Sequence, residues 1–422
     1  MITPANSTRK KLLVILGAGS SMACGLPGVN HIDQMMKEWS PEWKDEHVFP
    51  HGTGQGIFND VWEILEEYYR GQPDERGFHV NFERVLGEMT ALAGLVTPAP
   101  FGSPLRLAVK DGTLSERFTW PTGDDPYLHR QLILKQQAFL LKKLAGYMRE
   151  RSSAIDHGSD SFRSYQELFT CLRSEFDLGV YNLNYDDLAV RAQPGAFTGF
   201  TDGWFDPAEV NGREAWDFVY HLHGSVHYSF TGWPASHEIS WHDDLDGDFV
   251  DDHPVPRGAV LDFKPLSETT LIAGGFKLDQ LLSDPFQSFQ ASLVRHVHEA
   301  DACLIIGYGF GDHHVNRALL NGFDAARHYR CERPSVVVLD YRPEGWRLGV
   351  NEAHDYRARA LARALDAGFF AAAESPPGSA LVRRMRESGH FEIDLSERVA
   401  VWFGGLLKAR AHLGDIIAWL RE

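Results

Sequence analysis

Cysteine is scarce in this chain. Four occur in 422 residues, at Cys24, Cys171, Cys303 and Cys331, and none forms a CxxC pair. That spacing excludes a zinc ribbon and a dense disulfide scaffold. Long apolar runs are missing as well, and nothing approaches the roughly 18 consecutive apolar residues of a membrane-spanning helix. Positive charge is in deficit, with 41 Lys and Arg against 58 Asp and Glu and a net charge of -17. A nonspecific grip on nucleic acid or anionic lipid by the whole surface is thereby excluded, and no sequence-specific nucleic-acid binding is expected. Any bound phosphate has to be held locally, by backbone N–H groups or a few placed cations. There is no internal repeat and no long low-complexity tract.

What remains is an ordinary globular composition, 43% hydrophobic and 23% charged, in a chain long enough for two or three domains. Arg9, Lys10 and Lys11 before Leu12–Leu16 imitate a signal peptide. The apolar run is short and opens straight into a glycine turn, so the reading is a cytoplasmic protein whose first strand is Leu12–Leu16. Strand-like runs return at FDLGVYNLNYDD, DFVYHLHGSVHYSF, AVLDFKPLSETTLIAGG, ADACLIIGYGFGD and PSVVVLDYR, the last three separated by helical stretches. Strands alternating with helices predict an α/β fold built on a Rossmann-like, doubly wound parallel sheet. The expected organisation is a nucleotide-binding domain of residues 1–40 and 176–345, a helical insertion at 41–175 with a loop at 98–126, and a C-terminal helical extension at 346–422.

From about Asp394 the sequence predicts one long amphipathic helix. Leu395, Val399, Trp402, Leu406, Ala409, Leu413, Ile416 and Leu420 step by three or four. That stripe either packs on its own domain or reaches a second subunit or a partner. The acidic stretch His242–His253 invites a calcium reading. Counted from Asp244, however, the EF-hand positions for Gly and Glu hold Phe249 and Val255, so a solvated acidic loop is expected and no metal ligands are assigned.

The chemistry sits at predicted strand ends. Gly17-Ala18-Gly19-Ser20-Ser21 follows the first strand, and Gly25-Leu26-Pro27 lies at a short distance beyond it. A glycine turn of this kind lets backbone approach a pyrophosphate at a helix N-terminus. Asn184-Tyr185-Asp186, His223-Gly224-Ser225 and Gly307-Tyr308-Gly309 each end another strand. Open α/β sheets place their ligands there.

These pieces resemble the sirtuin-like family of NAD-consuming proteins. GAGSSMACGLP is similar to that family's GAG-x-S-x-x-x-G-I-P segment, LNYD to its Q-N-I-D, HLHGS to the segment with its catalytic histidine, IIGYGF to its G-T-S, and SVVVLD to its last strand near the adenosine. Protein-deacylating members follow G-I-P with D-F-R, where this chain has Gly28, Val29 and Asn30, and they carry four zinc cysteines that it lacks. Leu183 stands in place of their Gln. The resemblance is therefore to the bacterial anti-phage branch, whose members hydrolyse NAD+ outright, and within it to compact chains paired with a HerA-type ATPase.

What the resemblance implies is an NAD+ hydrolase (NADase). It would cleave the nicotinamide–ribose bond, deplete NAD in abortive-infection antiviral defence, act as a homo-oligomer, and need no zinc. A non-hydrolysing regulatory subunit that binds NAD or ADP-ribose, and a protein deacylase, are the alternatives. Cleavage passes through an oxocarbenium-like ribose, so the site has to bind the ribose, exclude bulk solvent and place one water. His223 is the expected proton acceptor and Asn184 the expected partner of the ribose hydroxyl and the water. Asp186 would face the nicotinamide amide or fix its loop. Gly17, Ala18, Gly19, Ser21, Gly25, Pro27, Gly307, Tyr308 and Gly309 would hold the dinucleotide, and Asp340 the adenosine ribose.

Overall fold

The structure, a computed structural model, describes residues 9–43, 56–70, 80–96, 126–231, 238–253, 268–274, 281–330, 332–342, 356–367 and 379–422. The chain forms two compact units, residues 1–26, 151–223 and 284–422 in the first, 27–150 and 224–283 in the second. These bounds differ from the expected ones. The helix Asp160–Glu175 leads directly into a strand of the first unit and packs on it, as a crossover helix does. Residues 224–283 fold instead with the helices of the second unit.

The first unit is built on seven strands: β1 (Lys11–Leu16), β2 (Asp177–Asn182), β3 (Asp217–His221), β4 (Ala302–Ile306), β5 (Ser335–Leu339), β6 (Phe391–Asp394) and β7 (Val399–Trp402). Their order is β6-β7-β5-β4-β1-β2-β3. All neighbours are parallel except β6, which runs antiparallel to β7. Every residue of Leu12–Leu16, Ala302–Ile306 and Ser335–Leu339 is buried, so both faces of these strands are covered. That is why they read as unbroken apolar runs rather than alternating ones. The chain moves from β1 outward to β2 and β3, then returns to β4 on the other side of β1. The fold is a Rossmann-like doubly wound sheet, and its topological switch point lies between β1 and β4.

The C-terminal part corrects an expectation. Val399 and Trp402 do not begin a long helix; Val399–Trp402 is the strand β7, paired in parallel with β5 and closed by the hairpin to β6. The helical segments are the short Leu406–Ala409 and the terminal Leu413–Arg421. Two local features forbid a continuous helix: Arg398 at φ 54 before β7 and Gly405 at φ 78 after it. The first unit itself buries Val399, Trp402, Ala409, Ile416 and Leu420 of the stripe, while Leu395, Leu406 and Leu413 are half-buried. Ile416, Trp419 and Leu420 are buried, the helix 413–421 packs on β5 and β4, and Trp419 Nε1 donates to the Val336 carbonyl at 3.1 Å. Trp402 is fully buried, with Nε1 on the Gly405 carbonyl at 2.9 Å. Trp402→Ala should accordingly cost about 3–5 kcal/mol of folding stability, read by urea unfolding; a loss below about 1 kcal/mol would mean that the strand does not hold the edge of the sheet.

The second unit carries the helices Val29–Trp39, Ile57–Arg70, Phe82–Val96 and most of Pro126–Ser153, with a hairpin of Tyr228–Thr231 and Glu238–Trp241. The loop expected at 98–126 falls almost wholly outside the described residues, as does most of the strand expected within AVLDFKPLSETTLIAGG, of which Glu268–Thr269 is described. The acidic stretch is solvated at Asp243, Asp244, Asp246 and Asp248. Asp251 departs from that expectation: it is buried and ion-paired with Arg149, whose guanidinium lies 4.0 Å from the Phe249 ring centre. Among the described residues, no helix is long and apolar enough to cross a membrane.

Candidate functional site

At the switch point two glycine loops meet backbone to backbone. Gly17 N–H donates to the Ile306 carbonyl and Gly19 N–H to the Gly307 carbonyl, both at 2.9 Å, while Gly307 N–H donates to the Leu339 carbonyl at 2.8 Å. A Cβ on Gly17 would lie 2.6 Å from Tyr308 Cα, and one on Gly19 2.8 Å from Gly307 Cα. The glycines are thus required by the approach of one loop to the other. The helix after the turn, Ala18–Met22, has only five residues. Gly19 N–H, expected to face a phosphate, is turned inward.

Past β2, the loop to Leu188 is pinned by its own polar side chains. Asn182 Oδ1 accepts from Asn184 N–H at 3.0 Å, and Asn182 Nδ2 and His221 Nε2 both lie on the Asp186 carbonyl. Asn184 Nδ2 lies 2.9 Å from the Gly17 carbonyl, 3.1 Å from Ser20 Oγ and 2.8 Å from Ser21 Oγ. Because a carbonyl only accepts, the amide nitrogen has to face the glycine turn, which leaves the Asn184 oxygen on the other side. Ser21 Oγ donates to Asp186 Oδ2 at 2.6 Å, so its hydroxyl is taken up inside the protein. Tyr165, on the covering helix, is fully buried beside Ser20. Cys24 has its thiol pushed up to about 11, first by burial and then by Asp186, so it is no nucleophile.

Asp186 itself is buried and also accepts from Leu188 N–H at 3.1 Å, a loop-fixing position. Burial pushes its carboxyl up to about 6 from 3.8, against the hydrogen bond from Ser21. An acid with a raised folded-state pKa holds its proton more tightly when folded. Its ionisation therefore lowers stability as pH rises from about 4 to about 6, with no further change above. Asp186→Asn removes that titration. The variant should gain on the wild type across this window, by a few kcal/mol at most at about 1.4 kcal/mol per unit. Urea unfolding at about pH 4.5 and pH 7 measures it; a variant-to-wild-type difference constant with pH would mean that Asp186 ionises as it would in water.

His223 follows β3, and its side chain is 4% exposed. Its Nε2 lies 3.2 Å from His314 Nε2 and 4.0 Å from Asp312 Oδ1. Asp312 and His314 begin the helix His313–Tyr329 after β4. Tyr308 is buried and braces this segment: its hydroxyl accepts from Asp312 N–H at 3.1 Å and lies 2.9 Å from Asn316 Oδ1, while Asn316 Nδ2 donates to the Phe310 carbonyl. Gly309 is exposed. Asp340, after β5, has its carboxylate 3.0 Å from Arg342 Nη2 and accepts from Tyr341 N–H. Gly25, at φ 85, closes the turn after the short helix, and its carbonyl accepts from Arg151. Pro27 opens the second unit and is buried.

The first unit therefore gathers the ends of β1, β2, β3, β4 and β5 at one edge, carrying Gly17–Gly19, Asn184, His223, Gly307 and Asp340. Sequence reasoning missed Asn182, Tyr165, Asp312 and His314. Of these, Asn182 and Asp312 carried a signal, each standing at a predicted strand end beside a residue already singled out. Among the described residues, His223, Asp312 and His314 also form a group able to hold a metal ion.

A family model for the SIR2-like domain matches residues 179–365, less than half of the chain, beginning inside β2. No curated protein matches the chain. Among solved structures, a mutant Sir2 homologue in complex with 2′-O-acetyl ADP ribose is similar at 12% identity and a TM-score of 0.38, over 98% of this chain and 93% of that one. A Sir2 homologue in complex with NAD is similar at 13% identity and a TM-score of 0.34, over 80% of each chain.

Proposed function

We propose that this chain is an NAD+ hydrolase that cleaves the nicotinamide–ribose bond with water, giving nicotinamide, ADP-ribose and a proton. The observation that carries the reading is the position of Asn184 and the buried His223 at the carboxyl ends of the adjacent strands β2 and β3, within the stretch that matches a SIR2-like domain. The Asn184 oxygen accepts from a ribose hydroxyl. Neutral His223 takes the proton from the attacking water or that hydroxyl as the oxocarbenium-like ribose is captured. Gly17, Ala18, Gly19, Ser21, Gly25, Pro27, Gly307, Tyr308 and Gly309 shape the dinucleotide site, several of them by holding its loops, and Asp340 serves the adenosine ribose. In the cell, the resemblance points to NAD depletion during phage infection by a homo-oligomer that also binds a HerA-type ATPase ring.

The test is purified protein with NAD+, alone and with a HerA-type ATPase added. Nicotinamide and ADP-ribose should appear in equal amounts without any acylated peptide. Tight NAD binding with no loss of NAD under either condition would replace the hydrolase with a binding subunit, and a requirement for an acylated peptide would make it a deacylase. Light scattering of the chain with NAD tests assembly, since a monomer mass at micromolar concentration removes the oligomer.

A further inference from the structure

Two imidazoles whose Nε2 atoms face each other at 3.2 Å cannot both carry a hydrogen there, so at least one lone pair points into the gap. A carboxylate borders the same gap. Asp312 Oδ1 is 4.0 Å from His223 Nε2, and the three candidate ligand atoms all lie within 4.8 Å of one another. On a tetrahedral zinc ion with bonds of about 2.0–2.1 Å, neighbouring ligand atoms stand about 3.3–3.4 Å apart. The two histidines already have that separation, and the carboxylate has to close by at most about 1.5 Å.

A second observation concerns Asp312. It occupies the N-cap position of a 17-residue helix, where an Asp side chain ordinarily accepts from the helix's own first N–H groups. Here it makes no such cap bond. The segment is also stiffened from behind, because the Tyr308 hydroxyl holds the Asp312 N–H and the Asn316 amide holds the Phe310 carbonyl, the two side chains being bonded to each other. Bracing of this kind fixes metal ligands in place. Two imidazoles and one carboxylate suit zinc and its neighbours rather than magnesium or calcium, which prefer all-oxygen sets.

We propose that His223, Asp312 and His314 form a three-ligand site for a divalent transition metal of the zinc class, and that the bound ion withdraws His223 from proton transfer. The second half rests on the hydrolase reading above. The competition is direct, because metal and proton need the same Nε2 lone pair. Metal-loaded protein is then silent toward NAD+, and a chelator wakes it.

The experiment uses the full chain stripped of metal. Titration with Co2+ should show one ion per chain with visible ligand-field bands of a tetrahedral site. His314→Ala should abolish the bands, and Asp312→Asn should weaken binding at least about tenfold. One equivalent of Zn2+ should slow nicotinamide release at least about tenfold, reversed by EDTA, and the zinc-free to zinc-loaded rate ratio should fall toward one in Asp312→Asn. Thermal melts check each variant, with His314→Gln replacing His314→Ala if the latter does not melt cooperatively. Absence of stoichiometric Co2+ binding, or binding that survives loss of the His314 imidazole, overturns the site. One bound metal with undiminished cleavage overturns the withdrawal of His223. His314-dependent Co2+ binding by a chain that never cleaves NAD+ supports the site and brings down the hydrolase reading instead.

Discussion

His223→Ala is expected to lower kcat for NAD+ cleavage by about 10²–10⁴-fold, the range for losing a positioned general base. KM should change little, because the imidazole acts on the attacking water or a ribose hydroxyl rather than gripping the dinucleotide. The fold should survive, since His223 lies beyond the end of β3 and outside the ladder that β3 makes with β2. Asn184→Ala separates from it in kind. That amide also holds the Gly17 carbonyl and the Ser20 and Ser21 hydroxyls, so its loss loosens the glycine turn and raises KM while lowering kcat. Steady-state kinetics with nicotinamide quantified by chromatography measures both. A His223→Ala enzyme within about threefold of wild type would remove the histidine from the chemistry.

The second large effect is on stability. A Cβ on Gly307 would stand 2.2 Å from Ser20 N, 2.3 Å from Gly19 C and 2.5 Å from Gly19 Cα, at φ 61. None of these obstacles is a side chain that can swing aside. The left-handed backbone costs about 1–2 kcal/mol for a residue with a Cβ, and displacing a packed turn adds about 1–3. Gly307→Ala should therefore lose about 2–5 kcal/mol, a large share of the roughly 5–15 that holds a domain folded. Gly309 and Gly311 meet nothing within 4 Å and lack a positive φ. Their alanine variants should stay within about 0.5 kcal/mol of wild type. Urea unfolding of the three variants side by side decides; equal losses would mean that the loops are not interlocked.

The central strands were legible in the sequence for a physical reason. Strands buried on both faces have no polar side to show, so LLVIL, CLII and VVVL stand out as short apolar blocks. The switch-point residues were legible too, because each block ends in Gly, Asn, His or Asp. β7 was not. Val399, Trp402 and Leu406 fall at helical spacing by accident, and only the parallel pairing with β5 selects the strand. The direction of a hydroxyl was equally hidden. Ser21 sits where a phosphate-binding serine would, yet the loop after β2 supplies Asp186 and Asn184 to occupy it. His314 is far from His223 in sequence, and nothing in their spacing announces that their rings meet.

The position of β1 bears on how the chain is made. It is the earliest of the seven strands along the chain and lies inside the sheet between β2 and β4, yet β2 emerges roughly 165 residues later and β4 roughly 290. At ordinary elongation rates the first delay alone lasts roughly 10–30 s. Throughout it, five consecutive aliphatic residues leave the ribosome with both edges unsatisfied. Slow translation therefore exposes this protein to mispairing between neighbouring nascent copies, and a chaperone that shields residues 12–16 would raise its yield more than one acting on any later strand.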